Sequence, residues 1–95
     1  MADVISELLA TDVALDKLGA REISADEAGQ LPRNHHITVR NPRDRGGLFT
    51  RSLLIGRTDG GRALTLVVER TVDPTTWLIV TGWSSTDVER KLLGG

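Results

Sequence analysis

Seven arginines and no lysine stand between residues 33 and 62, at Arg33, Arg40, Arg43, Arg45, Arg51, Arg57 and Arg62, against only Asp44 and Asp59, so this middle third carries a net charge of +5. A guanidinium is a planar fork that meets phosphate or carboxylate in two-point contacts, which an ammonium does not. Arg40, Arg43, Arg45, Arg57 and Arg62 are therefore candidates for holding a nucleic-acid backbone or an acidic partner, and the loop from Asn41 to Gly47 has the basic composition to embrace one. Charge alone favours a plainer arrangement, in which alternate arginines on exposed strands pair with the acidic residues 1–32, whose net charge is −5.

His35-His36 is the only histidine pair. Adjacent strand residues point to opposite faces, so the two cannot share a metal from a strand, and no Asp, Glu or Cys accompanies them at a ligand spacing. No metal site is expected. A general-base role for one of them turns on which histidine faces Arg57. Serine chemistry lacks a G-x-S-x-G elbow. The glycines of Gly56-Arg57-Thr58-Asp59-Gly60-Gly61 lack the G-K-[ST] of a phosphate loop and open a strand rather than a helix, so hairpin chemistry explains Gly60 and Gly61 better.

The elements that must position these residues fall into two halves. Residues 3–21 read as helix in two pieces, with Val4, Ile5, Leu8 and Leu9 on one stripe and Asp12 as the N-cap of a second piece carrying Val13, Ala14, Leu15 and Leu18. Ser24-Ala25-Asp26-Glu27 is a capping box opening a short helix that must stop by Leu31, because Pro32 disfavours helical dihedrals before it. The second half predicts a four-stranded antiparallel meander. Ile37 and Val39 alternate in the first strand, Arg51 to Arg57 and Arg62 to Arg70 form a hairpin around Asp59-Gly60, and Trp77 to Val80 is apolar on both faces and so interior. Ser85 or Thr86 caps a closing helix with Val88, Leu92 and Leu93 on one stripe. The class is α+β: N-terminal helices, sheet, C-terminal helix. Ile55, Leu64, Leu66, Val68, Ile79 and Leu92 are expected in one core.

Ninety-five residues hold one domain, spanning 1–95, and a 39% hydrophobic and 26% charged composition is that of an ordinary globular domain. No apolar run reaches the length of a membrane span and the first residues have no basic segment leading into a signal core, so a cytoplasmic location and no membrane partner are expected. The absence of cysteine excludes disulfides, thiolate zinc sites and cysteine nucleophiles. Three aromatic residues, Phe49, Trp77 and Trp83, would supply a base-stacking platform thinly.

Three stretches in succession resemble the BrnT toxins of the RelE/ParE superfamily, small bacterial proteins that pair with an antitoxin. Leu15-Asp16-Lys17-Leu18 through Ile23-Ser24-Ala25-Asp26-Glu27-Ala28 is similar to the family's helix, turn and acidic second helix. Leu54-Ile55-Gly56-Arg57-Thr58-Asp59-Gly60-Gly61-Arg62-Ala63-Leu64 resembles its central hairpin, and Leu78-Ile79-Val80-Thr81-Gly82-Trp83 followed by Glu89-Arg90 resembles its last strand and closing helix. The resemblance implies a RelE/ParE-like fold, metal-independent endoribonuclease activity without a cofactor, RNA as a partner and a cognate ribbon-helix-helix antitoxin. It points to Arg57, Arg62, Glu89 and Arg90 as candidate catalytic residues. Cleavage of RNA by its own 2′-hydroxyl needs a base, an acid and cations, and the proton carriers at hand are His35, His36 and Glu89. Solvated cross-strand neighbours at a turn explain Arg57 and Arg62 as well as a site does, and exposed helix charges explain Glu89 and Arg90. The family fold begins with a strand, whereas Met1 to Ala10 reads as helix. Members commonly carry His-Gly where this chain has Arg21-Glu22, and Ala-Arg where it has Gly82-Trp83; on these differences rests the alternative, a non-catalytic protein-interaction module that retains the toxin fold.

Trp83 is also a candidate interface residue. A large indole where the resembling family has arginine suits the desolvated centre of a contact, with an antitoxin segment or in a homodimer. The competing expectation is that Trp83 packs beneath the N-terminal helices as ordinary core.

Overall fold

The structure is a computed structural model, and it describes residues 5–40 and 51–94. The elements run β1 (Glu7–Ala10), α1 (Asp12–Gly19), α2 (Ala25–Gln30), a 3-10 turn (Leu31–Arg33), β2 (His36–Arg40), β3 (Arg51–Arg57), β4 (Ala63–Arg70), β5 (Thr76–Ser84) and α3 (Asp87–Leu93). The fold is α+β, as expected, but the sheet has five strands in the order β1-β5-β4-β3-β2. The four expected strands form the antiparallel meander, and β1 adds to β5 in parallel, Glu7 opposite Thr76 through Ala10 opposite Ile79. The four-stranded, helix-first expectation is corrected at this point. Leu8 and Leu9 fit a helical stripe, but pairing with β5 satisfies their backbone and lays Leu8 and Ala10 against the core. The helical expectation for Asp3 and Val4 lies outside the described residues.

Local chemistry sets the helix ends. Thr11, not Asp12, caps α1, its hydroxyl accepting the Ala14 N–H at 3.2 Å. The Ser24/Glu27 capping box opens α2, and the chain at Pro32 tightens into the 3-10 turn. A second capping box, Thr86 with Glu89, opens α3, which ends on left-handed Gly94. In the β3–β4 turn the positive φ falls on Gly61, at 88°, rather than on the Asp59-Gly60 pair. Between β4 and β5 a bulge shifts the register, Val67 opposing Thr81 and Val68 opposing Ile79, so that Val80 has no opposite number.

The sheet has two unequal faces. One lies under α1 and α2 and supplies Leu54, Leu64, Leu66, Val68, Trp77 and Ile79 to a core with Ile5, Leu18, Ile23, Ala28 and Leu31. Each fully buried aliphatic side chain there contributes about 1.5–3 kcal/mol. The other face is crossed by α3. Ile55 is buried on that face, outside the main cluster, and α3 inserts Leu93, 3% exposed, while Leu92 is 55% exposed. The expected core thus holds for Leu64, Leu66, Val68 and Ile79, moves to the opposite layer for Ile55 and is corrected for Leu92. One step around a helix is about 100°, so only one of two adjacent leucines can face the sheet. Among the described residues no helix is long and apolar enough to cross a membrane.

Candidate functional site

Arg57 closes β3 on the α3 face. Its neighbour Gly56 faces the other way, where a Cβ would come within 2.9 Å of His36 Cβ and 3.1 Å of Leu31 Cγ. Alternation then turns Arg57 away from α1 and α2. Its guanidinium donates through Nη1 to the Gly61 carbonyl at 3.0 Å. Asn34 Nδ2 donates to the Arg57 carbonyl at 3.0 Å and to Asp59 Oδ1 at 2.8 Å, and Arg33 Nη2 meets Asp59 Oδ2 at 2.6 Å. The Asn34 amide and the Arg33 guanidinium hold the Asp59 carboxyl below the usual carboxylate range. The turn beside Arg57 is thereby fastened to the 3-10 segment.

The two histidines diverge. His36 pairs with Gly56 on the helical face, and its Nδ1 contacts the Asn34 carbonyl at 2.8 Å. The ladder continued by one residue sets His35 opposite Arg57, and its Nε2 reaches the Leu93 carbonyl of α3 at 2.9 Å. Among the described residues no three His, Asp or Glu side chains are grouped to hold a metal ion.

Arg62 turns to the opposite side. Its Nη1 donates to the Glu22 carbonyl at 2.7 Å and to Glu27 Oε1 at 3.2 Å, and its Nη2 donates to Ser84 Oγ at 3.1 Å. It clamps the α1–α2 turn and the start of α2 to the sheet. Glu27 is held below its ordinary range, chiefly by the Ser24 backbone N–H and then by Arg62. Arg40, paired with Ser52, lies five residues along the strand direction from Arg57, about 17 Å. Arg57 and Arg62 therefore do not share a face, and Arg40 is distant from Arg57. Arg43 and Arg45 lie outside the described residues.

Glu89, Arg90 and Trp83 form a second cluster, over β4 and β5. Gly82 faces Leu18 and Leu66, where a Cβ would meet their methyl groups at 3.0 and 2.6 Å, so Trp83 falls on the α3 face and not beneath the N-terminal helices. Its indole N–H donates to Glu89 Oε1 at 3.0 Å, and the Thr86 N–H donates to the same oxygen at 2.8 Å. Burial pushes the Glu89 carboxyl up, but the Thr86 N–H, the Trp83 indole and the Thr65 and Thr86 hydroxyls outweigh it and hold the group low. Arg90 donates to the Ser85 carbonyl at 3.1 Å and pairs with Asp87. The Arg21 guanidinium lies over the Trp83 ring, 6.0 Å from its centroid, at the outer limit of a cation–π contact.

Sequence reasoning missed the Arg21–Trp83 contact and the attachment of His35 to α3. Both join residues more than fifty positions apart and left no local pattern. One local signal was available at Glu22, which adopts a left-handed φ of 60°, in the position where the resembling family commonly has glycine. Comparison with models of protein families, with curated proteins and with solved structures yields no match.

Proposed function

We propose that this chain is a toxin-like endoribonuclease of a bacterial toxin–antitoxin pair, with a RelE/ParE-like fold and its RNA-contacting surface at the Arg57 end of the α3 face. The observation that carries the reading is the parallel pairing of β1 with β5. The fold that the three resembling stretches imply begins with a strand, so an opening strand here supports the reading. The left-handed Glu22 also supports it, because a positive φ at this position is one that the family's glycine adopts without steric cost. The stretches also meet in space: Ile55 of the hairpin opposes Thr65, Thr65 opposes Trp83, and Trp83 bonds Glu89 of the closing helix.

Purified protein is expected to cleave single-stranded RNA without added metal, and induction in a bacterial host is expected to arrest growth, relieved by a small ribbon-helix-helix protein encoded beside it. Growth that continues at full expression, with RNA left intact, would refute the enzyme.

A second reading is favoured by a specific observation. Arg62, Glu89 and Arg90 are all engaged in hydrogen bonds that hold the fold together. A non-catalytic interaction module that keeps the toxin fold would look this way. It predicts capture of a protein partner, or a homodimer through Trp83, with RNA uncut. Trp83→Arg would then abolish assembly and leave the monomer folded, a result sedimentation velocity separates from the enzyme reading.

A further inference from the structure

We propose that His35 is the general base of the Arg57 site, taking the 2′-hydroxyl proton of a bound RNA strand through Nδ1. This rests on the ribonuclease reading and adds to it a residue and a direction of proton transfer.

Three proton carriers are at hand, and the geometry separates them. The Glu89 carboxylate already accepts the Thr86 N–H and the Trp83 indole N–H. His36 stands on the helical face against Gly56 and Leu31, turned from Arg57, and its Nδ1 is engaged with the Asn34 carbonyl. His35 remains. The β2–β3 ladder ends at His36 opposite Gly56, and carried one residue further it places His35 across from Arg57, where opposed residues of an antiparallel pair would hold their Cβ atoms about 5 Å apart. Two hydrogen bonds hold this corner: Asn34 Nδ2 to the Arg57 carbonyl, and His35 Nε2 to the Leu93 carbonyl.

The Leu93 contact also decides the tautomer. A carbonyl oxygen only accepts, so Nε2 carries the hydrogen, and in the neutral ring Nδ1 keeps its lone pair. His35 is exposed, and among the described residues its Nδ1 has no hydrogen-bond partner, which leaves that lone pair for a substrate. Among the described residues the Arg57 guanidinium gives one N–H to Gly61, leaving donors for a phosphate. In the step, the 2′-hydroxyl proton passes to Nδ1 and the 2′-oxygen bonds to phosphorus as the bond to the 5′-oxygen breaks. The 5′-oxygen takes a proton from water, and the imidazolium returns its own to the hydroxide so formed. The products are a 2′,3′-cyclic phosphate and a 5′-hydroxyl.

His35→Gln tests the assignment, because the glutamine amide can still donate to the Leu93 carbonyl but offers no basic nitrogen. With a single-stranded RNA oligonucleotide, cleavage is expected to fall about 100-fold or more. Binding of the same oligonucleotide with 2′-O-methyl groups, which cannot be cut, is expected to stay within about twofold, because phosphate contacts carry the affinity. His36→Gln should cleave as the unaltered chain does. Nitrogen NMR of the unaltered protein should show His35 protonated at Nε2 and bare at Nδ1. If His35→Gln cleaves at the full rate, or the ring is protonated at Nδ1, this inference fails and the ribonuclease reading stands. If the unaltered chain binds RNA but leaves it whole, or does not bind it, both fail.

Discussion

The indole N–H of Trp83 donates to Glu89 Oε1 at 3.0 Å, and the same oxygen accepts the Thr86 backbone N–H at 2.8 Å. One carboxylate thus closes the capping box of α3 and pins that helix to the last strand of the sheet. Beneath it the Thr65 and Ser85 hydroxyls, both buried, share a hydrogen bond of 2.9 Å. The closing helix has only seven residues, too few to be stable alone, so this junction, the buried Leu93 and the His35 contact to the Leu93 carbonyl help hold it down.

Glu89→Ala is expected to cost about 1–3 kcal/mol, from the missing cap and the indole left without its acceptor. Glu89→Gln should cost less, because the amide oxygen can still accept one N–H. Urea unfolding followed by tryptophan fluorescence measures both, and equal midpoints for Glu89→Ala and the unaltered chain would contradict the role described.

Acid should loosen the structure in a defined direction. The Glu89, Asp59 and Glu27 carboxyls are all held below their ordinary values in the folded chain. A group depressed on folding contributes its full stabilisation above its unfolded value and loses it as pH falls through the folded one. The thermal midpoint should therefore be level near neutrality and drop once pH passes below about 4, the ordinary carboxylate value. The drop should be shallower in Glu89→Gln. A midpoint that rises on acidification would reverse the sign.

Arg57 and Arg62, alike in sequence, should separate by assay. Arg62 joins the Glu22 carbonyl, Glu27 and Ser84, so Arg62→Ala is expected to lower the unfolding midpoint by several degrees. Among the described residues Arg57 donates to one turn carbonyl, so Arg57→Ala should leave that midpoint nearly unchanged. It should weaken RNA binding and flatten the salt dependence by about 0.7 for each phosphate that the variant no longer neutralises. The opposite pattern would place the nucleic-acid surface on the helical face.

Glu22→Gly should stabilise the fold. A non-glycine residue in the left-handed region is strained by about 1–2 kcal/mol, and glycine's greater freedom when unfolded offsets part of that, leaving a gain of about 0.5–1 kcal/mol. The hydrogen bond from Arg62 to residue 22 uses the backbone carbonyl and survives the change. Calorimetry showing a loss instead would mean that the Glu22 side chain itself holds the turn.

What could be read from sequence was what neighbours in the chain decide. The Ser24/Glu27 capping box, the turn at Asp59 to Gly61 and the alternating strands around Ile37 and Val39 and around Leu64, Leu66 and Val68 each depend on patterns a few residues long, and all are present. The hidden features are those that a distant segment decides. Glu7 to Ala10 carries a stripe that suits a helix, and becomes a strand because β5, far along the chain, offers it an edge. Leu92 and Leu93 are equivalent until α3 lies down on the sheet and one of them must face it. His35 and His36, and Arg57 and Arg62, differ in role because a period of two sends neighbours to opposite faces, and only the packing of helices on each face gives those faces different chemistry. The arginine-rich middle was a property of composition. Its division into a clamp at Arg62 and a half-buried Arg57 on the other face belongs to the tertiary structure, because a side chain's role is set by which donors and acceptors the fold brings within about 3 Å of it.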